Sequence, residues 1–370
     1  MIYSGIIYLT LIIIFTLGLG HAQSELPAWR WVAGALLISG YILWTLWRHL
    51  PENHQPIGDT VYQSLGLPTH ITLVRGFMIA VVAGFVFLPE TEGLMRWIPG
   101  VLYLLAALFD TIDGYVARRL DRVTQLGQIL DNKFDALGTL VAVTLGISLG
   151  KLPAWYIIVG LAYYLFIFGQ WLRLWREKPG HNLPPDRQRS VFAGIQMVFL
   201  GIVLLPIYPS GATQLAATVF VIPTAVMFLR DWLVTSGIID PDDDQYRSRA
   251  NSARRLLTTG FLPLLRAGLF MLFVYSCILT GEYIAFTAVG LSRPVIAAIL
   301  GGLLTLIVFG FAGRTSALIA LLLLGLAAPG EPVISVTGIF FIGVILILIL
   351  GTGNFSVWQP EERLLFGDNL

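Results

Sequence analysis

The sequence predicts an all-α protein, a polytopic transmembrane helical bundle of about twelve spans. Three observations predict it. Hydrophobic residues make up 56% of the 370 and charged residues 12%, where a soluble domain carries about a quarter charged. Apolar runs of ~20 residues, the length a helix needs to cross the hydrocarbon core, recur along the whole chain. Counting sides along those runs puts Arg48, the 118–122 link, the arginines of 173–189 and 230–255, Arg314 and Arg363 together. The opposite side receives Arg30, Arg96, Lys151 and Arg293, an asymmetry of the kind that makes the arginine-rich side cytoplasmic. The net charge of +1 makes no case for nucleic acid. The single Cys277, set in an apolar run, excludes an intrachain disulfide and a cysteine zinc site and reads as a packing residue.

The runs divide the chain. Residues 2–19 are apolar and uncharged, either a spanning helix or a signal peptide ending at GHAQS; the lack of Lys or Arg ahead of them favours an uncleaved helix. A second run, 31–46, completes an N-terminal pair within 1–52, closed by the polar RHLPENHQPIGD. Six runs follow within 60–236: from LPTHITLVRGF to Leu88, then 98–118, 127–149, 153–174, 191–207 and 213–229. Residues 237–257 form a polar cytoplasmic linker. Its acid run, Asp240 and Asp242 to Asp244, lacks the glycine turn and terminal Glu of a calcium loop and reads as solvated. Four further runs, 261–286, 294–311, 315–326 and 333–350, make a C-terminal membrane domain, 258–370, whose third run is short for a span.

One stretch organises the rest: DTIDGYVARRLDRVTQLGQILDNKFD, residues 110–135. Asp110, Asp113, Gly114, Ala117 and Arg118 are three or four residues apart and share one face of one helix; Gly127, Asp131 and Asp135 step by fours along the next. The short basic link makes the two helices antiparallel neighbours, with two aspartates from each facing the other pair. An ionised Asp at the centre of a span costs roughly 2.5–3.5 kcal/mol, so four unpaired would cost about 10. The cations nearby are too few and poorly placed: Arg118 shares the face, but Lys133 points away from Asp131 and Asp135. A hard divalent cation, Mg2+, Mn2+ or Ca2+, answers an all-oxygen donor set, and two metals suit four carboxylates.

The pattern DxxDGxxAR, then eight residues, then GxxxDxxxD is complete here. It resembles the signature of the CDP-alcohol phosphotransferase (phosphatidyltransferase) family. The resemblance implies a six-helix catalytic core and an integral membrane enzyme of phospholipid biosynthesis. Such an enzyme would transfer a phosphatidyl group from CDP-diacylglycerol, or a group from another CDP-alcohol, to a polar alcohol with release of CMP. It implies that Asp110, Asp113, Asp131 and Asp135 hold Mg2+ or Mn2+, two ions, and that Asp135 is also the general base. It further implies a nucleotide and phosphate contact at Gly114, Ala117, Arg118 and Gly127, and a homodimer; the arginine asymmetry puts the site on the cytoplasmic side of an inner or plasma membrane. Thr72 and Arg75 fit the family's first core helix, while His70 stands where an Asn is expected and reads as a surface histidine. Arg75, Lys133, Arg187 and Arg189 are candidate contacts for an acceptor phosphate. The C-terminal helices, ending in GTGNFSVWQPEERLLF, resemble DoxX-like membrane proteins. The alternative function is a metal-independent, proton-coupled transporter, suggested by many spans with intramembrane acids.

Overall fold

The computed structural model describes residues 28–55, 62–177, 183, 187–276, 293–327 and 336–358, with scattered positions between 6 and 16. Most of the first predicted run, Cys277, residues 178–182 and 184–186, the Arg187 side chain and the 359–370 tail lie outside the described residues. The described chain holds twelve α-helices and no strand. They are α1 (Ala28–Arg48), α2 (Leu67–Gly84), α3 (Ile98–Arg119), α4 (Gln125–Ser148), α5 (Ile157–Trp175), α6 (Arg187–Leu204) and α7 (Ser210–Thr235). Then come α8 (Asp244–Arg255), α9 (Leu262–Tyr275), α10 (Arg293–Phe309), α11 (Gly313–Ala327) and α12 (Val336–Leu350).

Five helical segments are long and apolar enough to cross a membrane: Leu67–Phe87, Gly93–Arg119, Ala154–Trp175, Ser210–Thr235 and Asp244–Tyr275. Four shorter apolar helices of 10–17 residues join them, including the expected short one at α11. Of the expected spans, five are met on length and composition among the described residues. Helix α4 forms where a span is expected, but Asp131, Lys133 and Asp135 lower its hydropathy. The polar linker is itself largely helical. Asp243 caps α8 by accepting from the Gln245 amide at 3.2 Å, and a π-turn, Leu256–Phe261, joins α8 to α9.

The chain forms two compact units, Met1–Leu165 with Gln196–Pro206, and Phe166–Ile195 with Ile207–Leu370. In the first, α2 is the central element, packed on α1, α3 and α4, while α3 and α4 touch each other sparsely. Small residues let the helices approach: a Cβ on Gly84 would stand 2.4 Å from the Trp31 indole, and one on Gly76 2.9 Å from the Phe134 ring. Trp31, Phe134 and Tyr103 are buried there, and the Tyr8 hydroxyl donates to the Leu73 carbonyl of α2. In the second unit α11 packs between α10 and α12, and α12 also meets α7 and α9.

Candidate metal and phosphate centre

Three helix starts and one turn set the centre. Pro68 in the first turn of α2 and Pro99 in that of α3 occupy positions where a helix needs no amide donor. Thr124 caps α4, its hydroxyl accepting from the Gly127 amide at 3.0 Å. Helix α3 ends in a left-handed turn at Asp121 (φ 50°), where the Arg122 amide reaches back to the Ala117 carbonyl at 2.9 Å. This tight exit and capped re-entry return the chain within five residues, 120–124, from one aspartate pair to the other.

Asp110, Asp113 and Asp131 each bring one carboxylate oxygen within 4.8 Å of the other two. Asp113 is buried, and its Oδ2 accepts from the Thr72 hydroxyl at 2.8 Å. Asp135 stands one helical turn below Asp131 and outside that trio; it joins the centre through Arg75. The Arg75 side chain is 1% exposed. Its Nη2 donates to Asp131 Oδ1 at 2.9 Å, and its Nη1 lies 3.1 Å from Asp135 Oδ1 and pairs with Asp110.

Two sequence expectations are corrected here. The aspartate pairs do not simply face each other across adjoining helices; α2 packs against both and puts a guanidinium among them. The local cations are therefore not all poorly placed, because Arg75, read from sequence as a contact for an acceptor phosphate, is spent on the carboxylates. Thr72 and Arg75 are three apart on one face of α2; Thr72 meets α3, and Arg75 meets both motif helices.

The remaining predicted residues are placed as follows. Gly114 is half-buried on α3, with the Arg118 guanidinium 3.4 Å from where a Cβ would stand. Arg118 is thus exposed yet folded along the motif face. Ala117 is half-buried one turn on, and Gly127 sits over its cap Thr124. Lys133 points away as expected and lies 3.0 Å from His49 Nε2. His70 is exposed, its ring nitrogen 2.9 Å from the Gly66 carbonyl. Arg189 pairs with Asp231 at 2.9 Å in the second unit.

A divalent metal fits this donor set. Four carboxylates stand against one buried guanidinium, so net negative charge remains. The buried oxygens Asp110 Oδ1 and Asp135 Oδ1 accept no hydrogen bond, although both face Arg75. All donors are hard oxygens, the chemistry of a hard divalent cation.

Residues 65–235 match the family model for CDP-alcohol phosphatidyltransferase. A CDP-diacylglycerol–glycerol-3-phosphate 3-phosphatidyltransferase of Pseudomonas fluorescens is 32% identical over 146 residues, 38% of this chain and 72% of that protein. The Bacillus subtilis protein of the same name is 28% identical over 149 residues, 38% of this chain and 76% of its own length. An archaetidylinositol phosphate synthase of Pyrococcus horikoshii is 33% identical over 109 residues, 28% of this chain and 54% of that protein. No solved structure matches the chain. With residues 65–235 matching the family model and a 32%-identical relative covered over 72% of its length, the chain belongs to the CDP-alcohol phosphatidyltransferase family.

Proposed function

We propose that the protein transfers a phosphatidyl group from CDP-diacylglycerol to the hydroxyl of a polar alcohol, releasing CMP. The observation that carries this reading is the carboxylate trio with a buried arginine behind it, set in apolar helices. Asp110, Asp113, Asp131 and Asp135 would hold two Mg2+ or Mn2+ ions. When bound, those ions neutralise the pyrophosphate and the charge that develops on the departing CMP.

The chain's own residues do the rest. Gly114 and Ala117 leave an unobstructed face for the nucleotide, with Gly127 across the turn. Arg118 folds over that face with a planar fork suited to a phosphate. The acceptor oxygen attacks the phosphorus that bears the diacylglycerol; the bond from that phosphorus to the CMP oxygen breaks; the hydroxyl proton passes to Asp135. Asp135 suits this task because its Oδ1 is buried against Arg75 while its side chain is 35% exposed, which leaves the other oxygen on the open side. Thr72 and Arg75 are positioning residues that fix Asp113, Asp110 and Asp131.

The arginine asymmetry supports a cytoplasmic centre, where a water-soluble nucleotide product can leave. The core, in this reading, is 60–236; the C-terminal helices are a separate DoxX-like module, and the protein works as a homodimer. The transporter alternative gains nothing from the geometry, since every acid of the centre is tied to Thr72 or Arg75 rather than strung along a path. Release of labelled CMP from CDP-diacylglycerol by the purified protein with Mg2+ is the test. We expect Asp135→Asn to lower it by ~10²–10⁴-fold, the usual worth of a general base. Equal CMP release by Asp135→Asn would remove the base from this residue, and none from the wild type would remove the reaction.

A further inference from the structure

The second unit contains a buried cation of its own. Arg266 of α9 is 3% exposed. Its Nη1 donates to Ser356 Oγ at 3.2 Å and its Nη2 to the Phe355 carbonyl at 3.1 Å, while its Nε is buried without a partner. Among the described residues no carboxylate pairs with it. Hydroxyl and carbonyl dipoles solvate part of a guanidinium, but the full charge in an apolar helical unit calls for an anion.

The surroundings are built rather than incidental. The chain after α12, residues 351–358, folds back against the α10–α11 turn: the Val357 amide bonds the Phe309 carbonyl at 3.0 Å and the Ala312 amide the Trp358 carbonyl at 2.8 Å. The same segment is tied to the π-turn, through the Asn354 amide to the Thr258 carbonyl at 3.0 Å and Asn354 Nδ2 to Thr259 Oγ1 at 3.1 Å. Such π-turns are often placed at functional sites. Gly310 (φ 62°) lies against Arg266, where a Cβ would stand 2.7 Å from Nη1. A second buried arginine, Arg314, is held near the same segment by the Leu348 and Ile349 carbonyls at 2.8 and 3.1 Å. Thr259 and Asn354 are exposed and give the cluster a wet edge. Arginines, hydroxyls and amides, with no acid among the described residues of the cluster, make a donor set for an oxyanion, and the planar fork of arginine matches phosphate in particular.

We propose that Arg266, framed by residues 351–358, the π-turn and the α10–α11 turn, binds a phosphate oxyanion, borne by a lipid headgroup or by free phosphate. The site does not depend on the transferase reading, because none of its residues belongs to the carboxylate centre.

Native mass spectrometry of the full-length protein in detergent tests it, with EDTA present so that no metal holds phosphate at the aspartates. The probes are phosphatidic acid, diacylglycerol with the same acyl chains, and inorganic phosphate. The wild type is expected to retain phosphatidic acid well above diacylglycerol. Arg266→Gln should lower that retention by about tenfold or more, the loss of a charge-assisted pair. Asn354→Asp, at an exposed position, should lower it severalfold by placing like charge at the edge; Arg30→Gln, at an exposed position of α1, should leave it unchanged. Retention of inorganic phosphate as well, lost in the same variants, identifies free phosphate as a sufficient ligand; its absence identifies the lipid. Equal retention of diacylglycerol, no phosphate-bearing adduct on the wild type, or adducts untouched by both Arg266→Gln and Asn354→Asp would overturn the proposal. If Arg266→Gln does not fold, Asn354→Asp decides.

Discussion

The two units handle buried charge in opposite ways. At the carboxylate centre, acids from two helices outnumber a single buried arginine, and the excess is negative. In the C-terminal unit, Arg266 is buried with no acid paired to it among the described residues, and the excess there is positive. The lesson is that an apolar helix tolerates a charge only when something opposite arrives, and the sign of the excess names what arrives. The first centre calls for a metal cation, the second for an oxyanion. The difference also lies in the framing. Rigid helix starts hold the aspartates, whereas a return segment and a π-turn hold Arg266.

The largest expected effect is at the residue that partly balances the first centre. Arg75→Met leaves the carboxylates without their guanidinium and should destabilise the metal-free protein by about 3–5 kcal/mol, the cost of breaking a buried pair from one side. Millimolar Mg2+ should recover much of this, since a ligand that binds only the folded state raises its stability. Thermal unfolding with EDTA and with Mg2+ measures both. A deficit that ignores Mg2+ would break the claim that arginine and metal serve the same excess of charge.

Next in size is Thr72→Val, which removes the 2.8 Å hydrogen bond to Asp113 and leaves the helix intact. Partners that orient a metal ligand are worth ~10–100-fold in metal affinity or activity. The Mg2+ concentration for half-maximal CMP release should rise by that factor, with Thr72→Ser largely restoring it; an unchanged Mg2+ requirement would detach Thr72 from the centre.

How much of this was legible in the sequence differs from residue to residue. The aspartates, Gly114, Ala117, Arg118 and Gly127 were legible because helical spacing alone aligns them, and the structure brings Asp110, Asp113 and Asp131 within 4.8 Å of one another. The pairing of Arg75 was not. It joins residues 56 apart, Arg75 and Asp131, and rests on α2 packing against both motif helices, which no local period reports. The helix at 244–255 was hidden for another reason: it is polar all round, and its acids, which read as a solvated run, serve as its cap and ion pair. Arg266 was read only as part of a span, because its partners lie 89 and 90 residues further on.

A smaller effect is expected at the exposed fork. Arg118→Lys keeps the charge but loses two-pronged contact with a phosphate, and should raise KM for the CDP donor about tenfold with kcat nearly unchanged. A fall in kcat at constant KM would move Arg118 from binding into the reaction. The smallest effect lies at the end of α1. Burial first, then the charge of neighbouring Lys133, holds His49 below its ordinary value. A histidine depressed in the folded state binds fewer protons than the unfolded chain does. Its contribution is therefore complete above the unfolded value of ~6.5 and is lost as pH falls below it. Because His49 keeps part of its ring in solvent, the fall in Tm between pH 7 and 5.5 should be slight, and His49→Gln should flatten it; a steeper fall in the variant would reverse the sign.

The central claim is that these aspartates stand together because hard cations sit among them and grip a nucleotide diphosphate. Anomalous scattering from crystals grown with Mn2+ and CDP tests it most directly. Two manganese peaks are expected within coordination distance of Asp110, Asp113, Asp131 and Asp135, with the pyrophosphate oxygens completing their shells. CDP bound with no manganese among those side chains, and Arg75 alone countering them, would contradict it.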